Sequence, residues 1–149
     1  MGIPSPGVHI ITAPLPPLCL HPDDLPLWRL IERLAWAIAD QEGLPLRAIE
    51  PKRRPLADGA VGLCYTWENR IAILVRYKDR AGDGGAWWKA PRPWDDVVLT
   101  VAHELAHLRH PNHGSEFKQL TDYLHKRAKN WLKYQDYLMA RGSSGYFQE

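Results

Sequence analysis

Apolar residues early in the chain recur at steps of three and four. Trp28, Ile31, Leu34, Ala35 and Ile38 fall on one face of a segment from Leu25 to Gln41, which is the period of an amphipathic helix. Asp23 or Asp24 can cap its start, and Gly43 can end it. Three strands follow: Arg47 to Arg54, closed by an Asp58-Gly59 turn, then Val61 to Trp67 and Arg70 to Tyr77, joined by Glu68-Asn69. The run from Ile71 to Val75 is entirely apolar, so the last strand should be covered on both faces. Val97, Val98, Leu99, Val101, Ala102, Leu105, Ala106 and Leu108 then predict a buried helix, starting near Asp95 or Asp96. Pro111 disfavours helical geometry at the residue before it, so this helix should end near Arg109 or His110. Ser115 can cap a last helix running to about Ala140, with Phe117, Leu120, Leu124, Ala128, Trp131 and Leu138 as its buried stripe. The elements define an α+β fold: a small three-stranded sheet, antiparallel or mixed, packed against an N-terminal helix, a buried central helix and a long C-terminal helix.

Composition narrows this picture. With 149 residues, 45% hydrophobic and 24% charged, the chain predicts one globular domain. The proline-rich stretch at the start reads as an arm over residues 1–24, followed by the domain over 25–141 and a tail over 142–149. A net charge of +2 does not by itself announce a nucleic-acid or membrane partner. The opening residues lack the charged start and unbroken apolar stretch of a secretory signal, and no run of about 18 apolar residues occurs. These features predict a soluble, cytoplasmic protein with no membrane partner. Cys19 and Cys64 lack CxxC spacing and read as reduced thiols rather than a disulfide or zinc ribbon. Arg80 to Pro93 predicts a long loop before the central helix, in which Trp87 and Trp88 pack on the core or contact substrate.

The candidate chemistry is concentrated in VAHELAHLRHPNHGSEFKQ, from Val101 to Gln119. His103 and His107 are four apart and stack on one face of a helix, where both can reach one metal ion. Glu104 flanks them. In this HExxH arrangement two imidazoles bind Zn2+ and the glutamate is general base towards a zinc-activated water. Buried histidines beside a buried carboxylate cost free energy unless they are paired or metal-bound. A catalytic zinc takes three protein ligands, and His110 is a poor third one. It lies about 10.5 Å along a straight helix from His103, against zinc–nitrogen bonds of about 2.0 to 2.1 Å. A turn through Pro111, Asn112 and Gly114 can instead fold His113 back over the metal. His113 is thus the favoured third ligand, with His110, Glu116 and Asp122 as rivals.

HELAHLRHPNHGSEF resembles the metal-binding segment of the YgjP-like and SprT-like zinc metallopeptidases, whose pattern is HELxHL, a short gap, a histidine, and a phenylalanine three or four residues on. Gly62, Cys64, Arg70, Ile71 and Ile73 resemble the family's strand pair, usually written WGSC, a turn and an apolar strand. Val61 stands where that pattern has Trp, and Leu63 where it has Ser. The resemblance spans roughly Arg53 to Leu124. It implies a minimal zincin-like domain with His103, His107 and His113 as zinc ligands and Glu104 as catalytic base. It also implies a protein or peptide substrate, with proteolysis of DNA-associated proteins as one direction.

Lys118, Lys126, Arg127, Lys129 and Lys133 give the last helix a basic face, which is either solvated or able to associate with DNA. Tyr123, Tyr146 and Arg109 are candidates for stabilising the oxyanion, and Met139 reads as packing. The rival to an enzyme is a non-enzymatic zinc-stabilised protein- or DNA-binding module, whose closed site would need a fourth protein ligand, for example His110 or Asp122.

Overall fold

The computed structural model describes residues 20–52, 60–77 and 90–141. Most of the proline-rich arm with Cys19, the Asp58-Gly59 turn, Trp87 and Trp88, and Tyr146 with the tail lie outside these residues. A short 3-10 turn, Pro22–Asp24, leads into helix α1, Leu25–Glu42. Strands β1 (Ala48–Lys52), β2 (Gly62–Tyr65) and β3 (Arg70–Leu74) follow, then helices α2 (Trp94–His107) and α3 (Ser115–Arg141). The fold is α+β, as the periodicity predicts.

Helix α1 ends where glycine allows it. Gly43 adopts φ 68°, the left-handed conformation, and its N–H reaches back to the carbonyls of Ala39 and Asp40. At the other end the expectation needs correcting. Asp24 occupies the position before the helix but makes no side-chain cap. Its carboxylate accepts two hydrogen bonds from Arg76 beyond β3, at 2.8 and 2.7 Å, and both side chains are buried. A bidentate charged pair is the stronger claim on that carboxylate than a helix N–H.

The sheet is mixed, in the order β1-β3-β2. β1 runs parallel to β3, pairing Ile49 with Ile71 and Pro51 with Ile73. β2 runs antiparallel to it, pairing Gly62 with Ile73 and Tyr65 with Arg70. The central strand is the all-apolar one. Ile71, Ile73 and Val75 enter the main core with Trp28, Ile31, Ile38, Val98, Leu105 and Leu124, while Ala72 and Leu74 are buried on the opposite face. The β2–β3 turn is longer than predicted. β2 ends at Tyr65, Asn69 takes φ 51°, and Trp67 in the turn is 98% exposed. Arg70 ties this end of the sheet together. It pairs with Glu50 and Glu68 and lies 3.6 Å from the centre of the Tyr65 ring.

Helices α2 and α3 form a hairpin against the sheet and α1. Phe117, Leu124 and Ala128 of the predicted α3 stripe are buried, with Leu120 and Trp131 partly buried, whereas Met139 is exposed rather than packed. Glu42, at the end of α1, clamps the hairpin. Its carboxylate accepts from Tyr123 and Arg127, and its main-chain carbonyl accepts from Arg109. Arg127 is thereby withdrawn from the basic face, which keeps exposed Lys118, Lys126, Lys129 and Lys133. No helix among the described residues is long and apolar enough to cross a membrane.

Removing one partner of a buried ion pair strands the other charge, which costs about 3 to 5 kcal/mol. Arg76→Met should therefore lower stability by that amount in urea unfolding. The double variant Asp24→Leu, Arg76→Met, which removes both charges of the pair, should recover most of the loss.

Candidate metal centre

The local sequence determines how the hairpin turns. α2 stops at His107, two or three residues earlier than the proline alone suggests, and its last carbonyls are taken by a tightened turn. Leu108 N–H donates to Leu105, and the N–H groups of Arg109 and His110 both donate to Ala106. Seven residues separate the helices, and within them the chain reverses through Pro111 and Asn112. α3 then begins with the N–H of Lys118 donating to the carbonyl of Gly114.

This reversal brings His113 back to the face of α2 that carries His103 and His107. One nitrogen of each ring lies within 4.8 Å of the others, a group able to hold a metal ion. Nε2 of His107 and Nε2 of His113 are 3.1 Å apart. The Nδ1 of His107 is 3.1 Å from the main-chain carbonyl of His110. Donation to that carbonyl fixes the tautomer and leaves Nε2 with a lone pair for a metal. His110 thus serves the site through its backbone, while its ring lies near Glu116, 3.9 Å away. Neither His110, Glu116 nor Asp122 belongs to the histidine group, so among the described residues it offers three ligands and not four.

Phe117 is the pillar beneath the three rings. It stacks on His107 with centroids 4.4 Å apart and meets His103 and His113 edge-on at 4.8 and 5.0 Å. It is 4% exposed. The α3 stripe marks Phe117 as a core residue, but only the hairpin reveals that it orders the imidazoles.

Glu104 points between α2 and β2. Its Oε2 is 4.0 Å from Nε2 of His103. β2 comes so close at this point that a Cβ on Gly62 would stand 2.6 Å from that oxygen and 2.7 Å from Cγ2 of Thr100. Only glycine fits there. Electrostatics follow from the burial. Desolvation, opposed slightly by Lys52, pushes the Glu104 carboxyl up to about 7. Desolvation and the neighbouring imidazoles of His107 and His113 push His103 down to about 4, and desolvation also lowers His107. Burial thus favours the neutral form of His103 and His107, the form a metal ligand needs.

These groups line an open cleft of about 660 Å³ between α2 and β2. Its α2 side presents Asp96, Leu99, Thr100, His103, Glu104 and His107; the other wall comes from residues 60–64 and Thr66. Among the described residues β2 pairs with β3 alone, and no strand lies along its outer edge. The oxyanion candidates Tyr123 and Arg109 are bound to Glu42 and do not line this cleft, and Tyr146 lies outside the described residues. Cys64 lines it as a free thiol that burial and Glu104 push up to about 11. Arg92 also lines it and was given by no sequence signal, being a lone arginine between two loop prolines.

A helical hairpin that gathers three histidines beside a buried carboxylate defines an α+β domain with a side-chain group able to hold a metal ion. The family model of the YgjP-like metallopeptidase domain matches residues 89–136, covering α2, the turn and most of α3. The resemblance to YgjP-like metallopeptidases holds on that segment, and the strand pair lies outside the match. No curated protein and no solved structure matches the chain.

An acid with a raised folded-state pKa keeps its proton in the fold at pH values where the unfolded chain has lost it. Glu104 therefore costs stability increasingly as pH rises from 4.5 to about 7, and fully above that. In chelator-treated protein, Glu104→Gln should raise unfolding free energy at pH 8 by up to about 3 kcal/mol and change it little at pH 4.5, measured by urea titration. Phe117→Leu should keep the fold but weaken metal binding by roughly 10- to 100-fold, measured by competition with a chromophoric chelator.

Proposed function

We propose that the protein is a zinc-dependent metallopeptidase acting on a protein or peptide substrate, with His103, His107 and His113 as metal ligands and Glu104 as general base. The observation that carries this reading is the meeting of three imidazoles with a buried carboxylate in the wall of an open cleft. Zinc suits the donor set. Two nitrogens each about 2.0 to 2.1 Å from a tetrahedral ion are about 3.3 to 3.4 Å apart, close to the 3.1 Å between Nε2 of His107 and of His113. Three protein ligands, not four, is the ligand count of a catalytic site. When bound, zinc supplies a Lewis acid that polarises a carbonyl and makes water more acidic.

The residues of the chain do the rest. Glu104 takes a proton from the attacking water and passes it to the leaving amine. Its burial suits this task, because a carboxylate kept near neutrality is a stronger base than an exposed one. The outer edge of β2, unpaired among the described residues, offers N–H and carbonyl groups along the cleft, to which an extended substrate can add as a strand. His110 and Phe117 hold the ligand rings in place. The rival reading, a closed structural zinc site, needs a fourth protein ligand, and the histidine group among the described residues has none.

Cleavage of a peptide library by the zinc-loaded chain, followed by mass spectrometry, tests the proposal. Glu104→Gln should keep its metal and lose about 10²- to 10⁴-fold in turnover, while His113→Ala should lose metal affinity. Glu104→Gln that cleaves as fast as wild type would refute the assignment of the base.

A further inference from the structure

Arg92 is a basic group in the wall of the cleft that the proposed chemistry does not use. Its Nη1 donates to the carbonyl of Leu74 at the end of β3, and its Nη2 donates to Oγ1 of Thr100, 2.9 Å away. Its main-chain N–H donates to Val75. These bonds fix the guanidinium between the sheet and α2. Thr100 itself is held by a bond from Oγ1 to the carbonyl of Asp96. It precedes Glu104 by one helical turn, about 6 Å along the axis.

The guanidinium carries five N–H donors, and the two bonds named above end on uncharged oxygens. Among the described residues no carboxylate lies within ion-pairing distance of it, Tyr77 and the exposed Asp96 acting on it only from further off. A half-buried cation without a carboxylate partner is costly, whereas its planar fork matches a carboxylate in two places at once. Beside it, Leu99 is an exposed apolar side chain of the same cleft. We propose that Arg92 is a specificity-determining residue that binds a carboxylate of the substrate about one helical turn from the scissile bond. That carboxylate is either an acidic side chain or the C-terminus of the peptide. The proposal rests on the metallopeptidase reading. If Arg92 is only a staple between β3 and α2, it will not discriminate charge.

The test is calorimetric binding of heptapeptides to the zinc-loaded, 149-residue Glu104→Gln chain. One set of amidated peptides exchanges Glu for Gln at each position in turn; a second set compares a free C-terminus with its amide. In one set the carboxylate form should bind about tenfold or more tightly, and which set responds identifies the source. The preference should vanish on adding Arg92→Gln and be reduced, not abolished, by Arg92→Lys, which keeps the charge without the fork. Circular dichroism and zinc content check that the variants fold; where Arg92→Gln does not, Arg92→Lys decides. Peptides that bind without distinguishing acid from amide, or a preference untouched by substituting Arg92, overturn the assignment of Arg92 alone. Absence of binding by every peptide, together with absence of cleavage by wild type, overturns the peptidase reading and this proposal with it.

Discussion

Two helices that meet at Phe117 set the geometry on which the site depends. The α2–α3 turn must reverse the chain in seven residues and return an imidazole to the face it has just left. A turn this short leaves little freedom once its ends are fixed, and packing fixes them. Leu105 and Ala106 on α2, and Phe117 and Leu124 on α3, are all 4% exposed or less. The three rings then pack around Phe117, His107 stacked on it and His103 and His113 edge-on. His107 is locked further by the His110 carbonyl. Outside the hairpin, Glu42 holds the turn from the α1 side through Arg109, and so links the N-terminal helix to the position of His113.

The opposite wall is governed by how closely β2 approaches α2. A glycine at position 62 lets the strand close over Glu104 and remove it from water. This contact works against folding, since the carboxylate would be more stable solvated. What it gives in return is a carboxyl whose affinity for protons is matched to neutral solution. The molecule accepts this unfavourable burial beside the three histidines and offsets it with an apolar centre around Trp28, Ile71 and Leu105.

Much of this was legible in the residue pattern, for reasons that differ by element. The α1 and α3 stripes, and the uninterrupted run in β3, follow from burial on one face or on both, and the structure has them in the expected places. The His103–His107 spacing and the return of His113 follow from helix geometry and turn chemistry. Contacts between distant segments were not legible. Asp24 looked like a helix cap because its partner Arg76 stands 52 residues away. The His110 carbonyl has no side-chain signature at all. Arg92 is anonymous in the sequence and acquires meaning only when β3 and α2 come together around it. Arg109 and Tyr123 looked available for catalysis until Glu42 was found between them.

The convergence of His103, His107 and His113 on one ion is tested most directly by X-ray absorption at the zinc edge of the purified, zinc-replete protein. One zinc per chain with three imidazole nitrogens and a single exchangeable oxygen is the predicted result. Four protein ligands would contradict an open catalytic site, and a zinc with fewer than three imidazoles would contradict the hairpin geometry itself.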